Sequence, residues 1–150
     1  MKSFQKIILV FIGILIIIMG ILIIDNYTSE DNLFSESKAI NLDDTSVQGI
    51  RLTSKELKSS DSYNFKITNY INDKINKKII NYSIEIKSSR GLSPKLFKGS
   101  EKENILNDSK TNNFILNNET KQDEIYKLTY NNKKIDKNDY IEIQIKAWEE

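Results

Sequence analysis

Between Ile7 and Ile24 the chain reads IILVFIGILIIIMGILII, with no charged or strongly polar side chain. A helix of roughly 18 residues rises about 27 Å, close to the hydrocarbon thickness of a bilayer. The segment is therefore read as a transmembrane helix over residues 7–24, with the lipid bilayer as its partner. Lys2 and Lys6 precede it, and Asp25, Glu30 and Asp31 follow it. The positive-inside rule then keeps residues 1–6 in the cytoplasm and places everything after the helix on the outer side of the membrane. A cleaved secretory signal is the competing reading, and it would make the protein secreted. Against it, the run exceeds the usual apolar core of about 7–15 residues, and no small-x-small site follows Ile24. Gly13 and Gly20 share a helix face but lack the four-residue spacing of a tight dimer motif.

What remains of the 150 residues is enough for one ordinary domain. Lys plus Arg number 22 and Asp plus Glu 21, so there is no basic footprint for nucleic acid. Cysteine and histidine are both absent. That excludes disulfides, thiolate sites and cysteine nucleophiles, and removes the commonest general base and transition-metal ligand. No catalytic, cofactor-binding or metal-binding residue is nominated, no cofactor is expected, and the chain is read as no enzyme. The weight of Ile, Lys and Asn against scarce Gly and Pro suits a low-GC bacterium, which makes any single Asn or Lys weak evidence.

Residues 25–45 are acidic and polar without sustained periodicity, and are read as a linker. From residue 46 to 150 the dominant pattern has period two, the mark of half-buried strands. Tyr63, Phe65 and Ile67 alternate with Asn64, Lys66 and Thr68. Ile80, Tyr82, Ile84 and Ile86 alternate with Asn81, Ser83, Glu85 and Lys87. Between these two strands, Asn72-Asp73 suits a tight connection, with one helical turn through Ile71 and Ile75 as the alternative. Further strands are expected at Val47 to Leu52, at Phe114 to Leu116, through Tyr126, Leu128 and Tyr130, and over Ile141 to Trp148. The last two are expected to pair antiparallel across the turn NNKKIDKND. Six or seven strands with polar outer faces and no long amphipathic helix imply an all-β, antiparallel two-sheet sandwich, jelly-roll or immunoglobulin-like.

Isolated motifs have plainer explanations. Asn26, Asn81, Asn107 and Asn118 begin Asn-x-Ser/Thr triplets, expected by chance in an Asn-rich chain. Asp136, Asn138 and Asp139 offer oxygen ligands but lack the Gly and the bidentate Glu of a calcium loop, so they read as a turn. Asp43 and Asp44 read as solvated linker. Trp148 alternates away from the Ile141, Ile143 and Ile145 face, either as an exposed contact for a partner or as a cap beneath a neighbouring loop.

The order of elements, a basic start and apolar segment, the strand YNFKITNYIND, the strand KIINYSIEIKSS followed by LSPKLF, and the closing IEIQIKAWEE, resembles the TasA/camelysin-like secreted or surface proteins of Gram-positive bacteria. The resemblance spans roughly Ile50 to Trp148. It implies a jelly-roll-like sandwich and a non-catalytic matrix or fibre subunit whose strands add to neighbouring subunits. The chain differs from that family in having no small-residue cleavage region after Ile24. It also carries Ser60-Asp61-Ser62 where a Pro-Gly-Asp-like turn often stands. The expected role is thus a membrane-anchored envelope or protein-interaction module, self-associating or binding a protein partner through its sheet edges. The alternative is an accessory subunit of a secretion, competence or conjugation machine, in which the helix itself makes essential contacts.

Overall fold

The computed structural model describes residues 38–42 and 46–150. The expected transmembrane helix at 7–24, and most of the expected linker, lie outside the described residues. Ten strands and one short helix follow: β1 Lys38–Asn41, β2 Val47–Thr53, α1 Ser54–Ser59, β3 Ser62–Thr68, β4 Tyr70–Ile71, β5 Lys74–Ile75, β6 Ile80–Ser88, β7 Lys95–Lys98, β8 Phe114–Leu116, β9 Asp123–Thr129 and β10 Tyr140–Glu149. Sheet A has the order β1-β3-β9-β7 and sheet B the order β2-β10-β6-β8, while β4 and β5 form a separate hairpin. All pairings are antiparallel except β1 with β3, which is parallel. No described helix is long and apolar enough to cross a membrane.

Alternation in sequence becomes alternation in burial. Along β10, Ile141, Ile143, Ile145 and Ala147 are buried while Glu142, Gln144, Lys146 and Trp148 are half-buried on the opposite face. Each fully buried aliphatic side chain of this kind contributes about 1.5–3 kcal/mol. Both sheets feed one buried core, with Phe65, Ile67, Leu96, Tyr126 and Leu128 from sheet A and Leu52, Tyr82, Ile84, Leu116 and Ile143 from sheet B. Phe65 stacks on Tyr126 across β3 and β9, with ring centroids 5.3 Å apart. The Tyr82 and Tyr126 hydroxyls meet across the two sheets at 2.6 Å. Burial pushes both phenols well above the ordinary tyrosine value, so both stay protonated.

Outside the β4–β5 hairpin, successive strands never share a sheet. The chain passes from sheet A to sheet B and back at each step. This corrects the expected antiparallel pair of the last two strands: β9 pairs with β3 and β7, while β10 pairs with β2 and β6. The connection 130–139 is no hairpin but a crossing between sheets, with Tyr130 buried and Ile135 packed against the core. A second correction falls at the linker. β1 lies inside the stretch 25–45, and Ile40 and Leu42 belong to the core, so the folded unit begins before residue 46. Four residues pairing in parallel with a distant strand leave too short a pattern for periodicity to register. β7 is equally short, and α1 follows a capping box in which the Glu56 carboxylate accepts from the Thr53 amide at 2.7 Å. The expected connection at Asn72-Asp73 is a two-residue hairpin turn with φ of +46° and +67°, the conformation in which Asn and Asp are most at ease.

Candidate functional site

Two four-stranded sheets have four edges, and three of them are closed off or short. Along β7, the Ile105 amide donates to the Leu96 carbonyl at 2.9 Å and the Leu96 amide donates to Asn104 Oδ1 at 2.9 Å. β8 is only three residues long. β1 has four, and Gln48 Nε2 donates to its last carbonyl, Asn41 O, at 2.7 Å. β2 differs, with seven residues that among the described residues pair only with β10.

The phase of that pairing decides what β2 presents outward. The Ala147 amide donates to the Ser46 carbonyl at 2.9 Å. Hydrogen-bonded pairs alternate along an antiparallel ladder, so Gln48, Ile50 and Leu52 exchange bonds with β10. The N–H and C=O groups of Val47, Gly49 and Arg51 then point away from the sheet. Among the described residues nothing hydrogen-bonds to them, whereas the Thr53 amide is taken by Glu56. Val47 is 67% exposed. Arg51, the one charge along this stretch, is drawn onto the sheet face, 4.2 Å over the Tyr140 ring and 3.7 Å from Glu142. The edge is left with little of the charge or proline that ordinarily guards such a strand.

Two surface depressions add to this. One, of about 230 Å³, lies beside the β4–β5 hairpin and is lined by Asn41, Asn69, Tyr70 and Asn76 among others. Most of its amide groups are bonded within the fold, while Asn41 Oδ1 is buried without a hydrogen-bond partner among the described residues. Asn69 Nδ2 donates to the Asn117 and Thr120 carbonyls at 2.7 and 2.8 Å, and Asn69 Oδ1 accepts from the Gln122 amide at 2.8 Å. Asn41 Nδ2 donates to Thr68 Oγ1 at 3.3 Å and to the Tyr70 carbonyl, and Asn76 Nδ2 to the Leu42 carbonyl at 3.3 Å. These groups hold the hairpin and the β8–β9 connection rather than offering themselves to a ligand. The other depression, of about 390 Å³, lies at one end of sheet A, between Asp61, Ser93, Lys95 and Lys127.

The sequence nominated no catalytic, cofactor or metal residue. Among the described residues no group of three or more Asp or Glu side chains is placed to hold a metal ion. Asp136 and Asp139 are engaged in a turn, in which the Asp136 amide donates to Asp139 Oδ2 at 2.8 Å. Trp148 lies half-buried on the outer face of sheet B opposite Asn81, with exposed Ile115 on the next strand. The open edge was beyond sequence reasoning, since Val47 to Leu52 was legible as a strand but its partners were not. No family model, curated protein or solved structure matches this chain.

Proposed function

We propose that this chain is a non-catalytic, membrane-anchored surface protein. Its outer domain, an antiparallel two-sheet sandwich of jelly-roll type, works by pairing β2 with an extended strand of a protein partner or of a second copy. The observation that carries this reading is the row of outward N–H and C=O groups at Val47, Gly49 and Arg51 on a seven-residue edge. A strand laid along that row satisfies them, each bond contributing about 0.5–1.5 kcal/mol, while its side chains alternate over Val47. The sandwich reading is supported by eight strands in two sheets, visited alternately, around one core. The anchor reading rests on the uncharged run Ile7 to Ile24, and its flanking charges support a domain on the outer side of the membrane.

Gly49→Pro in the full chain tests the edge. A Cβ at position 49 finds its nearest neighbour, the Ile143 carbonyl, at 3.4 Å, and the lost amide is one that points away from β10. Folding is therefore expected to survive while cross-linked complexes recovered from membranes disappear. Ile50→Pro removes a ladder bond and serves as the unfolding control. Complexes formed undiminished by folded Gly49→Pro would refute strand addition. The uncharged run Ile7 to Ile24 also supports a second reading, an accessory subunit of a membrane machine. Replacing residues 7–24 with an unrelated anchor abolishes function in that case and preserves it in the first.

A further inference from the structure

Cations on the outer faces of the two sheets fall into two groups. Arg51, Lys66, Lys87 and Lys146 each lie within 4 Å of a carboxylate, at 3.7, 3.1, 3.8 and 2.5 Å. Lys95 and Lys127 have no carboxylate that close among the described residues, and both border the 390 Å³ depression at the end of sheet A. Register brings them together. Lys95 stands opposite Thr129 and Phe97 opposite Lys127, so the two lysines are diagonal neighbours on one face, with backbones roughly 7–8 Å apart. Side chains as long as lysine are able to reach a common group from such positions. Thr129 in turn stands opposite Ser62, which gives a row of hydroxyl, hydroxyl and ammonium across three strands. Ser93, at a φ of +46°, closes one side. Among the described residues the hydroxyls of Ser62, Ser93 and Thr129 make no hydrogen bond, in contrast to the internally bonded Asn69 amide beside the β4–β5 hairpin. Asp61 borders the same depression.

We propose that this depression is a binding site for a phosphodiester. Two ammoniums and one carboxylate leave a single unmatched positive charge, which suits a group carrying one negative charge, and Asp61 disfavours a phosphate monoester with two. The free hydroxyls serve the ester and neighbouring polyol oxygens. Lys95 and Lys127 supply the attraction as point charges. This site is separate from the β2 edge and does not depend on its role.

The test is a ¹H–¹⁵N NMR titration of the full chain in dodecyl maltoside micelles, which carry no phosphate, with glycerophosphoglycerol as the probe. Saturable shifts are expected at Ser62, Ser93, Lys95, Lys127 and Thr129. The double variant Lys95→Gln/Lys127→Gln raises Kd at least tenfold, and Lys87→Gln on sheet B leaves it unchanged. Asp61→Asn narrows the preference for this probe over glycerol phosphate. Nanodiscs containing phosphatidylglycerol separate the sources: shifts at these residues without added probe identify a lipid headgroup, and their absence identifies a soluble or polymeric phosphodiester. The proposal is overturned if no saturable shift occurs, or if the lysine double variant, shown folded by its unchanged remaining spectrum, binds as well as the parent.

Discussion

Sheets A and B share one core yet are held by different means. Sheet B has the long strands, with β10 of ten residues, β6 of nine and β2 of seven, and its outer face carries cross-strand pairs such as Arg51–Glu142 and Lys146–Glu85. Sheet A has two seven-residue strands flanked by two of four, and its margins are held by side chains that bond to loop backbone, above all Asn69. A long ladder stabilises itself by repetition, so sheet B can leave an edge open. Shorter strands need fixed connections around them, and their unmatched cations become available for recognition.

If that contrast is right, the largest single loss falls on sheet A. Asn69 is 1% exposed and satisfies two carbonyls and one amide of the connection from β8 to β9. Asn69→Ala orphans all three and is expected to lower unfolding stability by about 3 kcal/mol in urea denaturation. Hydrogen exchange then accelerates first in 117–122 and β9. Equal acceleration in sheet B would break the distinction.

The junction of the sheets comes next. Tyr126→Phe leaves the Tyr82 hydroxyl buried without a partner, an expected loss of about 1–3 kcal/mol. Tyr82→Phe/Tyr126→Phe recovers part of that loss, and the double-mutant cycle measures how strongly the sheets are coupled.

The smallest effects sharpen the comparison of the outer faces. The Lys146 ammonium, bonded to Glu85 Oε2 at 2.5 Å, holds the Glu85 carboxyl below its ordinary value. A depressed carboxyl stabilises the fold above its unfolded value of about 4.3, and that contribution is lost as pH falls through the lower folded value. Glu85→Gln is expected to lose at most about 1 kcal/mol at pH 7, and the difference from the parent shrinks as pH falls below about 4.3 and vanishes only below the lowered folded value. Lys127→Gln, with no ion pair to lose among the described residues, leaves the thermal midpoint unchanged at either pH.

Much of the fold was legible residue by residue. The alternation over Ile80 to Ile86 and Ile141 to Ala147 named the buried face of β6 and β10 correctly, because side chains in an extended chain must point to opposite sides. The hairpin at Asn72-Asp73 was equally local, since few other residues accept two successive left-handed conformations. Short elements such as β1 and β7 were not, because four residues hold too few alternations to stand out. The candidate sites were less legible still. Nothing in KLF marks Lys95 as a neighbour of Lys127 until β7 lies beside β9.

The sequence by itself determined that an uncharged run of membrane-spanning length precedes a domain made of strands, and which face of the longer strands is buried. Those properties depend on charge, hydrophobicity and the two-residue repeat of the backbone, all of which act locally. Only the tertiary structure decided which strands are partners, that consecutive strands fall in opposite sheets, and that β2 has one side unpaired among the described residues. Alternation tells a strand which way to face, but every strand here offers the same backbone ladder. The choice among ladders is made by how Tyr82, Phe65, Tyr126 and the isoleucines fill one common interior.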